Sequence, residues 1–175
     1  MLKILIFFVF LLQTHSMLTN NSVLRRLRYA FDIKDSEAVK IFDLASVKVD
    51  EEQVITWLKK EDDPEFVFIE DRYLAAFLNG FIILKRGKKE GVEPVNKEKL
   101  NNNIVFRKIK IALNLKVEDI IDIFKSVDFK VSKHEITAIF RNPKQNQYRE
   151  CQNQFLRTFL QGLTKVNQKR KISQP

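Results

Sequence analysis

The sequence predicts an all-α protein made of two tandem copies of a small four-helix unit in a pseudo-twofold arrangement. Three observations carry that expectation. Aligning Arg25 with Arg107 sets an offset of 82 residues, which also carries Asn20-Asn21 onto Asn102-Asn103 and Gly80 onto Gly162 without a gap. Self-similarity at a fixed spacing marks a repeat architecture. Apolar residues recur three and four apart in both copies, the period of a helix with one buried face. Side chains able to accept bonds from free helix amides precede those runs at equivalent places.

The first predicted helix opens at Thr19, Asn20 and Asn21, all read as caps, and buries Leu24, Leu27 and Phe31, which Phe106, Ile109 and Leu113 repeat. Arg25, Arg26 and Arg28 lie off that face, with Arg107, Lys108 and Lys110 as their twins, so the pattern predicts a duplicated basic stripe. A second helix starts near Lys34 or Asp35 with Ala38, Ile41, Phe42 and Ala45 inward, matched by Ile120, Ile123, Phe124 and Val127. Capping boxes, Asp50 with Gln53 and Ser132 with Glu135, start a third helix in each copy. Its inner face is Val54, Trp57 and Leu58, against Ile136, Ile139 and Phe140.

The following loop is where the copies differ most, Glu61-Asp62-Asp63-Pro64 in one and Asn142-Pro143-Lys144-Gln145-Asn146 in the other. A fourth helix then buries Leu74, Phe77, Leu78 and Phe81, matched by Leu156, Phe159, Leu160 and Leu163. Gly80 and Gly162 fall inside it, where glycine costs about 1 kcal/mol relative to alanine, so a close approach of another helix is the expected compensation. The domain reading is a first repeat over 17–87, a linker at 88–99 rich in charge with Gly91 and Pro94, a second repeat over 100–167, and a frayed basic tail at 168–175.

Residues 1–16 stand outside the repeat. Lys3 followed by an apolar run from Ile4 to Leu12 has the form of a secretory leader, too short to span a bilayer. The competing reading is upstream sequence ahead of a start at Met17, which the body favours because it carries no sign of secretion. A single cysteine, Cys151, excludes an internal disulfide framework and fits a cytoplasmic chain. Thirty-one Lys and Arg against 22 Asp and Glu give a net charge of +9, which favours a polyanionic partner or an acidic protein surface.

The stretches Val23-Leu24-Arg25-Arg26-Leu27-Arg28-Tyr29-Ala30, Trp57-Leu58-Lys59-Lys60-Glu61-Asp62, Phe77-Leu78-Asn79-Gly80 and Tyr148-Arg149-Glu150-Cys151 resemble the YehS-like family, a tandem bacterial domain of unknown function. The resemblance covers roughly 17–163. It implies a cytoplasmic, two-copy helical protein and supplies no catalytic residue.

No residue set specifies a reaction, so the sequence is read as non-catalytic, with no cofactor and no metal. Three short helices with a basic first helix are reminiscent of a helix-turn-helix, although the turn at Ala45 to Val49 is long and Glu51 and Glu52 open the third helix. The candidate nucleic-acid contacts are Arg25, Arg26, Arg28, Lys59, Arg107, Lys108, Lys110 and Arg141, set against the plain reading of solvated helix faces. The alternative function is a protein–protein adaptor for an acidic partner, and pairing with a second copy is open. The acidic run Glu61 to Asp71 lacks the spacing of a calcium loop and reads as solvated, with the basic stripe of the other copy or of another subunit as its other destination. His134 and Cys151 read as a surface histidine and a buried thiol. Most phenylalanines fall on the apolar stripes and belong to the core.

Overall fold

The computed structural model describes residues 18–89, 91, 94–96 and 99–172. The leader reading for residues 1–16, five positions of the linker and residues 173–175 lie outside the described residues. Eight helices and no strand occur among them: α1 (Asn20–Phe31), α2 (Asp35–Leu44), α3 (Glu51–Leu58), α4 (Asp71–Arg86), α5 (Asn102–Ala112), α6 (Val117–Lys125), α7 (Lys133–Ile139) and α8 (Asn153–Ile172). α1 to α4 form the first copy and α5 to α8 the second, each helix standing 82 residues from its twin to within a residue at the ends, except that α8 runs four residues further than α4.

The helix starts follow from local chemistry. Thr19 accepts from the Ser22 amide and Asn101 from the Ile104 amide, while Asp50 and Ser132 accept from Gln53 and Glu135. The Lys34 and Lys116 amides donate back to Glu37 and Asp119, at 2.9 and 2.7 Å. α1 and α5 stop at the same place, with Asp32 and Asn114 left-handed (φ 57° and 53°), a conformation that short polar side chains tolerate. The basic end of the chain is not frayed as far as Ile172, since α8 continues through it and Lys171 reaches Asp32 at 3.0 Å.

Asn20 and Asn21, read above as caps, do something else. Asn21 is fully buried; its carboxamide donates to the Trp57 and Val67 carbonyls (2.9 and 2.8 Å) and accepts from the Ile69 amide at 3.1 Å. Asn103 repeats all three bonds to Ile139, Arg149 and Cys151. Asn20 and Asn102 add bonds to the Ile69 and Cys151 carbonyls and to Asp71 and Asn153. One asparagine pair per copy thus holds the loop ahead of the fourth helix, satisfying backbone groups that burial would otherwise strand.

α2 lies along α4 and α6 along α8 within their own copies, but α1 lies along α8 and α5 along α4, across copies. Each copy's first helix therefore completes its partner's fourth, and a single apolar core runs through both halves. Phe42, Phe77 and Phe81 fill the first half, and Phe106, Phe124 and Phe159 the second, all fully buried, with Phe106 and Phe159 rings 4.4 Å apart. Gly80 and Gly162 mark the expected close approaches: a Cβ built on Gly80 would lie 1.8 Å from the Ile41 carbonyl oxygen, and one on Gly162 2.4 Å from that of Ile123.

Candidate nucleic-acid interface

The basic triplet does not form one stripe in either copy, because successive residues on a helix diverge by about 100°. Arg25 and Arg28, like Arg107 and Lys110, turn toward their own copy, whereas Arg26 and Lys108 turn toward the fourth helix of the other.

The first arginine of each triplet has a structural task. Arg25 donates to the Lys59 carbonyl, just past the end of α3. Arg107 donates to the Phe140 and Arg141 carbonyls (2.9 and 3.4 Å), just past the end of α7. Both supply donors to carbonyls that a helix end leaves unpaired and place positive charge at its negative pole. Preservation of this arginine between copies is thereby explained without a ligand.

What separates the copies is the company their cations keep. In the first, Arg28 pairs with Asp35 at 2.6 Å, Arg25 with Glu61 at 3.4 Å, and Lys59 with Glu65 and, at 3.7 Å, with Asp63. The acidic loop therefore faces Arg25 and Lys59 of its own copy rather than a stripe of the other. In the second copy the four carboxylates are replaced: Val117 stands for Asp35, Pro143 for Glu61, Gln145 for Asp63 and Gln147 for Glu65. Arg107 accordingly holds backbone carbonyls, Arg141 holds the Gln147 carboxamide, and the Lys110 ammonium lies 5.7 Å from the centre of the Phe140 ring. Two cations face six acids in 59–71, against three cations and one acid in 141–153.

Arg107, Lys110 and Arg141 thus gather around the end of α7, with Lys144 exposed on the adjoining loop. Arg149, in the same loop, is paired with Glu135 at 3.3 Å. Lys108 is apart from them, its ammonium donating to Asn79 of α4 at 2.7 Å. Arg26 is half-buried against α8; burial first, then the nearby Arg157 and Arg25, hold its guanidinium below its ordinary pKa. Lys144 and Arg157 were not among the sequence candidates. The loss of acid partners between aligned loops is the signal that could have found Lys144, while nothing in the pattern places Arg157 beside Arg26.

The remaining groups are quickly located. Cys151 is buried and its thiol is pushed up to about 12 by desolvation, which makes it a poor nucleophile, while His134 stands exposed on α7. No group of three or more His, Cys, Asp or Glu is arranged to hold a metal among the described residues. No helix among them is long and apolar enough to cross a membrane. Phe68 is 69% exposed in the acidic loop, an exception to the core assignment of the aromatics.

The family described as "Protein of unknown function (DUF1456)" matches twice, over 20–87 and 102–170, and the chain belongs to it. The chain is similar to a relative in Escherichia coli (strain K12) called "Uncharacterized protein YehS", with 43% identity over 145 residues that cover 82% of this chain and 93% of that one. No solved structure matches.

Proposed function

We propose that this chain, as a member of that family, is a non-catalytic binding protein that holds the sugar-phosphate backbone of a nucleic acid against its second copy. The observation that carries the reading is the exchange of Asp35, Glu61, Asp63 and Glu65 for Val117, Pro143, Gln145 and Gln147. Among the described residues it leaves Arg107, Lys110 and Arg141 with neutral partners, on an otherwise equivalent scaffold. Cations satisfied by carboxylates have little to gain from a phosphate; cations resting on carbonyls and a ring gain a charge-assisted bond. Contacts of this kind give affinity and register without reading sequence. The first copy, whose cations are met by its own acids, then serves to complete the fold.

The test is fluorescence anisotropy with a labelled DNA duplex, a DNA single strand and an RNA hairpin, from about 50 to about 200 mM salt. Lys110→Gln/Arg141→Gln/Lys144→Gln, which spares the Arg107 cap, is expected to weaken binding and flatten the salt dependence by about 2 to 3 in log–log slope, at roughly 0.9 per lost phosphate contact. Arg28→Gln/Lys59→Gln is expected to change neither. Equal losses for both variants, or no retention of any of the three nucleic acids at low salt, would exclude the reading.

A further inference from the structure

The two seams between copies are filled differently. At the α4–α5 seam the Asn79 carboxamide donates to the Val95 carbonyl (3.0 Å) and to Asn96 Oδ1 (2.8 Å). Asn96 in turn donates to the Ala45 carbonyl past the end of α2, at 2.9 Å, and Lys108 secures Asn79 from behind. A short non-helical length of the chain's own linker is therefore gripped between the copies by an amide and a carbonyl.

Each gripping residue has a twin at the α1–α8 seam. Gln161 stands for Asn79, Arg26 for Lys108, and Val127 and Asp128 for Ala45 and Ser46. These four line a cleft of about 750 Å³, open among the described residues. The wall differences that set the chemistry of the occupant are Thr164 and Lys165, which line the cleft where the twin positions are Ile82 and Ile83, and Asp128 in place of Ser46. Arg26 and Lys165 outweigh the single carboxylate of Asp128, and Arg25 and Arg157 stand close enough to Arg26 to repel it. An anionic group entering here relieves that repulsion.

We propose that the α1–α8 cleft is a peptide-binding site for a non-helical segment of a partner protein that carries an Asn or Gln side chain close to a carboxylate. Gln161 donates to the segment's backbone as Asn79 does to Val95, the Val127 carbonyl accepts from its side-chain amide as Ala45 does from Asn96, and Arg26 and Lys165 face its acid. Recognition of this kind couples main-chain bonds, which give affinity, to one polar pocket, which gives selectivity. The site shares no residue with the phosphate-facing set of Arg107, Lys110 and Arg141, so either proposal can fail alone.

The linker itself supplies the probe. A synthetic peptide of residues 91–97 carries Glu93 and Asn96, and it is titrated into the labelled full chain while backbone amide signals are followed by NMR. The expected result is movement of the Arg26, Gln161, Thr164 and Lys165 signals. Affinity is expected to fall about tenfold for Gln161→Ala, an exposed position whose loss leaves the core intact, and about tenfold for a peptide with alanine in place of asparagine. Movement confined to other residues, none at millimolar peptide, or wild-type affinity in Gln161→Ala overturns the proposal. A single-stranded oligonucleotide that moves these signals where the peptide does not also overturns it and assigns the cleft to nucleic acid.

Discussion

Replacing Gly80 by alanine tests the helix packing at its tightest point. In a solvated helix the change is favourable by about 1 kcal/mol, because alanine is the better helix former. Here the new Cβ would meet the Ile41 carbonyl oxygen at 1.8 Å and its carbon at 2.7 Å, both backbone, so no rotamer change relieves the clash. Real Cβ contacts stay beyond 3.0 Å, and α2 must therefore back away from α4 by at least about 1.2 Å. A gap of about 0.5 to 1 Å already forfeits a quarter to a half of the dispersion energy of the contacts it opens, and overpacking of a formed core costs typically about 1 to 3 kcal/mol. Taking the upper end and subtracting the gain in propensity leaves a net loss of about 2 kcal/mol. For a chain of this size that lowers Tm by roughly 4 to 8 °C. At Gly162 the closest distance is 2.4 Å, the required shift is about half as large, and the loss is expected to be correspondingly smaller. Thermal melts by circular dichroism, with urea titrations to confirm an unchanged m-value, give the comparison. A Gly80→Ala variant that melts higher than the parent, or one less damaged than Gly162→Ala, refutes the packing described here.

Asn21→Ala and Asn103→Ala each strand two buried backbone groups and one partly buried one, and are expected to cost about 3 to 5 kcal/mol apiece, nearly equally, by urea unfolding. A marked inequality would mean that the two loops are not held alike. Installing the first copy's acids in the second, Val117→Asp/Pro143→Glu/Gln145→Asp/Gln147→Glu, is expected to abolish nucleic-acid retention while leaving the helical circular dichroism unchanged; retained binding argues against the phosphate face. Cys151 is expected to resist a thiol reagent at pH 8 in the native chain and to react at once in denaturant. With the native thiol near 12 and an ordinary value of 9.0, both states are protonated below about pH 9 and stability is unaffected there. Above it the unfolded thiol ionises first, so stability declines from pH 9 towards 12, which Cys151→Ala removes.

The repeat, its helices and the glycine approaches are legible in the sequence because each is written twice at one offset, and a period of 3.6 tells which face is buried. It does not tell against what. Leu24, Leu27, Phe106 and Ile109 have the same pattern whether the first helix packs on its own fourth helix or on the other copy's, so the crossed pairing was invisible. Asn21 reads as a cap because capping is a local signal, whereas its real partners lie 36 to 48 residues away. The basic candidates were found by their alignment, but alignment weighs Arg25 and Arg107 equally and cannot see that one carries a carboxylate and the other a pair of carbonyls. The α1–α8 cleft was hidden for the same reason as the pairing that creates it.

That pairing bears on how the molecule comes into being. Of the described helices α1 leaves the ribosome first, yet the surface it must cover belongs to α8, the last of them to be made, so its apolar side waits unsheltered while the other six are synthesised. Severing the tether near Gly91 should yield two fragments that still clasp one another, but with a dissociation constant where the intact chain has only an effective concentration. Either fragment alone offers both halves of the missing joint, and a solution of one should dimerise with itself in the geometry that the whole chain achieves within one polypeptide.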